Sequence, residues 1–348
     1  MWGEKETDIV MKKEQPLISV IVPVHNGQDY LENCIKSIEA QTYQKQGRME
    51  IVIVNDGSTD ATGSICDRLS AACDNVRVLT LHDEGVSVAR NAGIAAAAGE
   101  FVTFVDADDR LLPETLQVLY DCMADTESDI AGCRFFLWSN EQEWQQACGG
   151  ALSTSTADGV KTYAPDRYLK EAVLCGNSRC WSKLYRKDIV RQVFFQEKLT
   201  IGEDMLFLIR LLSFVDRIAE TDYAGYGYFQ NPAGTINRKF TPGYMDQITC
   251  WRLAREEVLR MAPELDNQVT ALLIVGIMLT AGKLAMLSTP ERRKNKAHVQ
   301  TCHESLKAAL QVSGAFGRLS AGYRLKAGLF LVWPGLYLNL YHLQKSVR

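Results

Sequence analysis

The chain has 348 residues, enough for one large domain or for an ordinary domain with a smaller appendage. Its 47% hydrophobic and 23% charged residues are globular values that exclude a disordered chain, and a net charge of −4 argues against general nucleic-acid binding. The charge is uneven: ten Lys/Arg against two Glu from Thr289 to Arg348 give a local +8 and leave −12 for the rest.

Residues 1–16 read as a polar lead-in without the apolar core of a signal peptide. No run is expected to reach the length of a spanning helix. The ten cysteines show no CxxC pair and no zinc spacing, and many sit in apolar periodic segments. They predict a reducing, cytoplasmic compartment. Leu17–Val24 is a predicted buried strand, followed by a helix over Gln28–Gln41 with Leu31, Cys34, Ile35 and Ile38 on one face. Met49–Val54 is a second strand, and Asp60 or Thr59 caps a helix running to about Ala72. Val76–Leu81 is a third strand, and Val86–Ala98 an Ala-rich helix stopped by Gly99. A fourth strand opens at Phe101. This alternation predicts βαβ units and a mostly parallel sheet flanked by helices, an α/β fold.

After Pro113 a helix is expected to about Asp125, then a strand over Asp129–Leu137. Trp138–Ala164 reads as an irregular insert, Pro165–Cys175 as helical, Trp181–Arg191 as mixed and Glu203–Phe214 as a helix. A Tyr-rich stretch, Tyr223–Phe229, precedes an all-helical remainder. Pro232, Gly234 and Pro242 place a boundary near Asn237–Pro242, giving an α/β domain over 17–238 and a helical region over 239–348.

The stretch with the most chemistry is Phe101–Asp109, where a short apolar strand runs into Asp106, Asp108 and Asp109. Open α/β sheets put their ligands at such strand ends. Crowded carboxylates repel one another and are costly to bury without a cation, so Asp106 and Asp108 are candidate ligands of one Mg²⁺ or Mn²⁺; a solvated acidic turn is the alternative. Asp56 ends another strand, where its carboxylate either accepts an N–H from a nucleobase edge or orders an Asx turn. Glu203 and Asp204 open an apolar-faced helix, where acids also serve the helix end.

Six landmarks stand in order: Ile21-Val22-Pro23-Val24-His25-Asn26, Val54–Asp60, Ala89-Arg90-Asn91-Ala92-Gly93, Asp106-Ala107-Asp108-Asp109, Trp181–Tyr185 and Gly202-Glu203-Asp204. Together, over about Leu17 to Phe229, the sequence resembles family-2 glycosyltransferases of the GT-A fold. The resemblance implies an inverting, metal-dependent transfer of a sugar from a nucleotide donor, as a UDP-sugar, to a hydroxyl of a saccharide or lipid-linked saccharide, as in bacterial cell-surface polysaccharide synthesis. It places Pro23, Asp56, Arg90, Asn91, Asp106 and Lys183 on the donor side, with Asp56 reading uracil. It gives the divalent metal to Asp106 and Asp108, makes Asp204 the catalytic base, and sets Trp181 and Glu203 toward the acceptor. Asp109 departs from a plain Asp-x-Asp, as a further ligand or a supporting acid. A metal-dependent phosphotransferase and a catalytically inactive nucleotide- or carbohydrate-binding protein are the competing classes; no Gly-x-Gly-x-x-Gly opens the first helix, which disfavours a dinucleotide enzyme.

Leu325–Leu343 mixes Leu, Phe, Trp and Tyr among Arg324, Lys326, Lys345 and Arg348. It reads either as an interfacial segment at the inner face of the plasma membrane or as helix packed on the catalytic domain.

Overall fold

A computed structural model of the protein describes residues 18–45, 49–150, 159–231 and 239–346. The lead-in, residues 347–348 and the first two residues of the proposed boundary at Asn237–Pro242 lie outside them.

The strands are β1 (Ile18–Val24), β2 (Met49–Asp56), β3 (Val76–Leu81), β4 (Phe101–Phe104), β5 (Arg110–Leu111), β6 (Ile130–Trp138), β7 (Lys161–Tyr163), β8 (Lys183–Arg186) and β9 (Ile218–Phe229). They form one sheet in the order β3-β2-β1-β4-β8-β6-β9-β5, with β7 on β9. The half built by strand–helix alternation, β3-β2-β1-β4, is parallel as expected. β8 then pairs antiparallel with both β4 and β6, while β9 runs parallel to β6. The chain winds outward from β1 through β2 to β3 and returns on the other side as β4. The crevice at the C-terminal ends of β1 and β4 is therefore a topological switch point, where such sheets bind ligands.

The first nine helices are α1 (Leu31–Glu39), α2 (Thr62–Ala72), α3 (Val86–Ala96), α4 (Thr115–Thr126), α5 (Glu141–Gly149), α6 (Pro165–Glu171), α7 (Lys187–Val190), α8 (Glu203–Leu211) and α9 (Asp246–Met261). α10 (Asp266–Ala285), α11 (Thr289–Lys294), α12 (Lys296–Ala309), α13 (Ala315–Arg318), α14 (Ala321–Val332) and α15 (Pro334–Ser346) complete the chain. Strand periodicity sorts the core into two layers. Ile21, Val52 and Val54 face one layer with α3, α6, α8 and α9; Val20, Val22, Ile51 and Ile53 face the other with α1, α2 and α4.

Two expectations are corrected. The stretch over 138–164 is not wholly irregular: β6 reaches Trp138, and α5 follows, capped where Asn140 Oδ1 accepts from Glu143 N and Glu143 Oε2 from Ser139 N. Its residues 151–158 lie outside the described chain. The Asn-x-x-Glu pattern was a readable N-terminal signal, masked by the polar composition around it. Second, Pro263–Ala285 is a 23-residue helical run containing an 18-residue window of mean hydropathy 1.7, long and apolar enough to cross a membrane. Most of it is buried against α9, α12, α13 and α15, as befits a core helix.

The helical region is continuous with the sheet's core. Cys250, Ala254 and Val258 of α9 join the layer holding α3 and α8. Gly202, at φ +90°, enters α8 where an added Cβ would lie 2.7 Å from Cys250 Sγ, and that thiol donates to Gly202 O at 2.8 Å. On the facing helix, a Cβ at Gly93 would lie 2.4 Å from Ile21 Cγ2, so α3 rests directly on β1. Gly93→Ala should destabilise the protein by about 1–3 kcal/mol through overpacking, despite the better helix propensity of Ala. A denaturant midpoint equal to or above wild type would show that β1 and α3 can separate to accommodate it.

Candidate active site

The candidate site lies at the end of β4, where Val105 N still donates to Ile21 O at 3.0 Å and the chain then leaves the sheet. Arg90, on the sheet-facing side of α3, is 3% exposed and reaches three carboxylates. Its Nη1 donates to Asp204 Oδ1 at 2.7 Å and Glu203 Oε1 at 3.0 Å, and Nη2 to Asp106 Oδ1 at 3.0 Å. The ring of Phe195 lies 5.3 Å below the guanidinium. Arg90 Nε is buried without a hydrogen-bond partner. One cation thus joins α3, the end of β4 and the first turn of α8.

The three acids after β4 have different partners. Asp109 is 1% exposed, and its oxygens accept from Tyr226 Oη at 2.6 Å and Phe229 N at 2.8 Å. Tyr226 Oη also accepts from Asp106 N at 3.2 Å, so this hydroxyl ties the acidic turn to β9. Asp109 therefore serves as the anchor of the turn. Asp106 faces Arg90, while Asp108 Oδ2 accepts from Asn231 Nδ2 at 3.1 Å. Burial pushes Asp106 up to about 6 despite Arg90, and pushes Glu203 up to about 7, helped by the charge of Asp204. These shifts mark a cluster short of positive charge. Asp106 and Asp108 are hard oxygen donors at a strand end, in a cluster short of positive charge, so the residues present fit Mg²⁺ or Mn²⁺.

Asp56, 4% exposed at the end of β2, accepts from Glu84 N and Gly85 N, each at 2.7 Å. It orders the loop entering α3 and holds its oxygens at the C-terminal end of β2, the strand beside β1. His25 and Asp83 lie beside it, their ligand atoms close to its own, with His25 Nδ1 2.6 Å from Asp56 O and one backbone N–H on each Asp56 carboxylate oxygen. This group is a loop anchor. The expected cap by Asp60 is corrected: the N-cap of α2 is Ala61, and Asp60, one residue before it, accepts from Thr62 N at 2.9 Å and Gln28 N at 3.2 Å and so ties the two loops together. Pro23 is buried in β1 opposite Val54.

Three of the expected site residues are engaged elsewhere. Asn91, expected near the donor, spends its side chain on Phe195, donating to its O at 3.0 Å and accepting from its N at 2.8 Å. It fixes the ring beneath Arg90. Lys183 is 1% exposed and donates to Asn177 Oδ1 at 2.8 Å, in a network with Glu220 and Tyr168. Burial lowers its pKa. Glycine at 132, opposite Lys183 in the β6–β8 ladder, leaves the space that the Glu220 carboxylate fills. Trp181 is 4% exposed and stacks on Tyr226 and Tyr228, with ring centroids 4.5 and 5.3 Å away. Its ring is core to this end of the sheet, not an open platform for a sugar. Sequence reasoning missed Phe195 and Tyr226, whose importance comes from contacts over 100 residues away in the chain.

The raised pKa of Glu203 has a measurable consequence. On unfolding the carboxyl returns to the ordinary range, so the unfolded state loses its proton first and stability falls as pH rises from about 4.5 to about 7. Glu203→Gln in metal-free protein should remove about 1–3 kcal/mol of that fall. Urea midpoints of both proteins at pH 5 and pH 8 measure it. Parallel pH dependence in wild type and variant would place Glu203 in an environment that does not favour its neutral form.

The model of the family described as "Glycosyl transferase family 2" matches residues 19–194. Glycosyltransferase GlyA of Streptococcus pneumoniae serotype 4 is 31% identical over 234 residues, covering 66% of this chain and 33% of its own length, so the chain spans about a third of that relative. Among solved structures, TarS 1–349 of S. aureus in complex with UDP-GlcNAc superposes with a TM-score of 0.69 at 20% identity, over 95% of this chain and 91% of that one. Mannosyltransferase PcManGT from Pyrobaculum calidifontis, in complex with GDP-Man and Mn²⁺, does so with a TM-score of 0.52 at 16% identity, over 93% and 89%. The fold is of GT-A type, with a mixed sheet between helices and a helical C-terminal region. With half of its length matched by the family model and its acidic cluster at the switch point, this chain belongs to glycosyl transferase family 2.

Proposed function

We propose that this chain catalyses inverting, metal-dependent transfer of a sugar from a UDP-sugar to a hydroxyl of a saccharide or lipid-linked saccharide. The observation that carries the reading is the Arg90 bridge, which fixes Asp204 relative to Asp106 at the switch point. TarS, solved with UDP-GlcNAc, supports a uridine nucleotide. PcManGT, solved with GDP-Man and Mn²⁺, supports a divalent metal.

In this reading the acceptor oxygen attacks the anomeric carbon while the bond from that carbon to the diphosphate oxygen breaks. The diphosphate leaves with the bonding electron pair, and single displacement inverts the centre. Asp204 takes the hydroxyl proton. Arg90 acts as a positioning residue: its charged bond to Asp204 Oδ1 orients the carboxylate. Glu203 is the more buried of the pair, with a side chain 13% exposed against 20% for Asp204, which favours Asp204 as the group open to the acceptor. A divalent ion held by Asp106 and Asp108 would act as a Lewis acid toward the departing diphosphate. Asp56 supports the base reading because its oxygens, fixed by two backbone N–H groups, each keep acceptor capacity for a pyrimidine N–H.

Two experiments test the proposal. Calorimetry with UDP should show binding in Mn²⁺ that EDTA weakens, and Asp108→Ala should erase the difference; equal affinity in all four conditions removes the metal from the reading. With a competent acceptor supplied, Asp204→Asn should lower turnover by about 10²–10⁴-fold with donor affinity nearly unchanged, and Glu203→Gln should be milder. Normal transfer by Asp204→Asn beside an inactive Glu203→Gln assigns the proton to Glu203 instead.

A further inference from the structure

We propose that the hairpin of α14 and α15 docks on an anionic phospholipid bilayer surface. It is carried by the C-terminal helices alone and stands apart from the transfer reaction.

Each of the two helices already buries one apolar face in the protein. Ala327 and Phe330 of α14, and Tyr337 and Leu338 of α15, belong to the core built around α10. The pair is fixed there by polar contacts as well: His303 Nε2 lies 2.8 Å from Leu331 O, and His342 Nδ1 lies 3.0 Å from Ala285 O. A soluble surface helix would be polar on its remaining side. Here both helices carry a second apolar stripe. On α14, Leu325 and Val332 are exposed by 75% and 60%, with half-buried Leu329 between them. On α15, Leu336, Leu340 and Leu343 are exposed by 45%, 48% and 61%. The spacing is i, i+4, i+7 in both, so each stripe follows one side of its helix. The stripes meet at the turn, where Val332, Trp333, Pro334, Gly335 and Leu336 line an apolar notch and Trp333 is 61% exposed. A contiguous apolar surface of this kind marks an interaction site.

The charge around the patch chooses its occupant. No Asp or Glu follows Glu304, while Lys307, Arg318, Arg324, Lys326, Lys345 and Arg348 do. Arg324 and Lys326 flank Leu325, the most exposed large apolar residue among those described, and Lys345 follows Leu343 by two positions. An isologous contact between two copies would bring these cations together with no acid on the same segment to neutralise them. An anionic lipid surface satisfies both features at once: Leu, Val and Trp enter the headgroup boundary, and the long cationic side chains reach lipid phosphates.

Flotation of the full chain with vesicles tests the proposal. The protein should float with phosphatidylcholine vesicles containing phosphatidylglycerol, much less with phosphatidylcholine alone, and less again as salt rises. Leu325→Asp combined with Leu343→Asp should lower the bound fraction more than about tenfold. Should that pair fail to fold, Arg324→Glu with Lys345→Glu decides, with a comparable loss on phosphatidylglycerol vesicles. A melting midpoint equal to wild type establishes that a variant is folded. Absence of wild-type flotation, or folded variants that float like wild type, overturns the proposal. So does sedimentation velocity showing a lipid-free dimer that the Leu325→Asp/Leu343→Asp pair converts to monomer, since the face is then a subunit interface.

Discussion

A single buried guanidinium sets the geometry of the candidate site. Taking Arg90 out of water is expensive, and only close, hydrogen-bonded carboxylates offset it. Those carboxylates arrive from the end of β4 and from the first turn of α8, more than 90 residues apart in the chain. The bridge holds only if three backbones are placed to within hydrogen-bond reach, and each has its own constraint. α3 is seated on β1 at Gly93, α8 is seated on α9 at Gly202, and Asp106 is tied to β9 through Tyr226. Asn91, one residue from Arg90, contributes by clamping Phe195 under the guanidinium.

The same arrangement divides labour among chemically similar acids. Asp109 meets a phenol and a backbone N–H, so it holds the turn. Asp106 and Glu203 share Arg90 with Asp204 and remain under-neutralised, which is why burial still lifts both toward neutrality. Among the described residues, Asp108 accepts from the Asn231 amide on one oxygen. A cluster in this condition gains from a second cation, and the hard carboxylate oxygens at the end of β4 suit a divalent one. The electrostatics and the ligand chemistry point the same way.

The helical region plays two physical roles. α9 and α10 extend the core: α9 buttresses the helix that carries Glu203 and Asp204, and α10 is surrounded by other helices. Hydropathy alone does not distinguish α10 from a spanning helix; its packing partners do. α14 and α15 differ because their apolar residues cover more of the helix circumference than the core uses.

The parallel half of the sheet, most helices and the acidic turn were legible in the sequence because they depend on short-range pattern. Alternation buries β1 and β2 on both faces, a 3.6-residue period gives α1 one apolar face, and three acids after a strand signal a ligand site wherever the strand sits. The order of motifs was enough to indicate the family. Sequence periodicity did not reveal α5, whose Asn140–Glu143 cap lay within polar residues. Nor could it say that Lys183, Trp181 and Asn91 turn to Asn177, a tyrosine stack and Phe195. A charged or aromatic side chain in a motif has the same spacing whether it faces a ligand or the core. Its direction is set by which strand lies beside it and which partner satisfies it, and those are long-range contacts that only the folded sheet brings together.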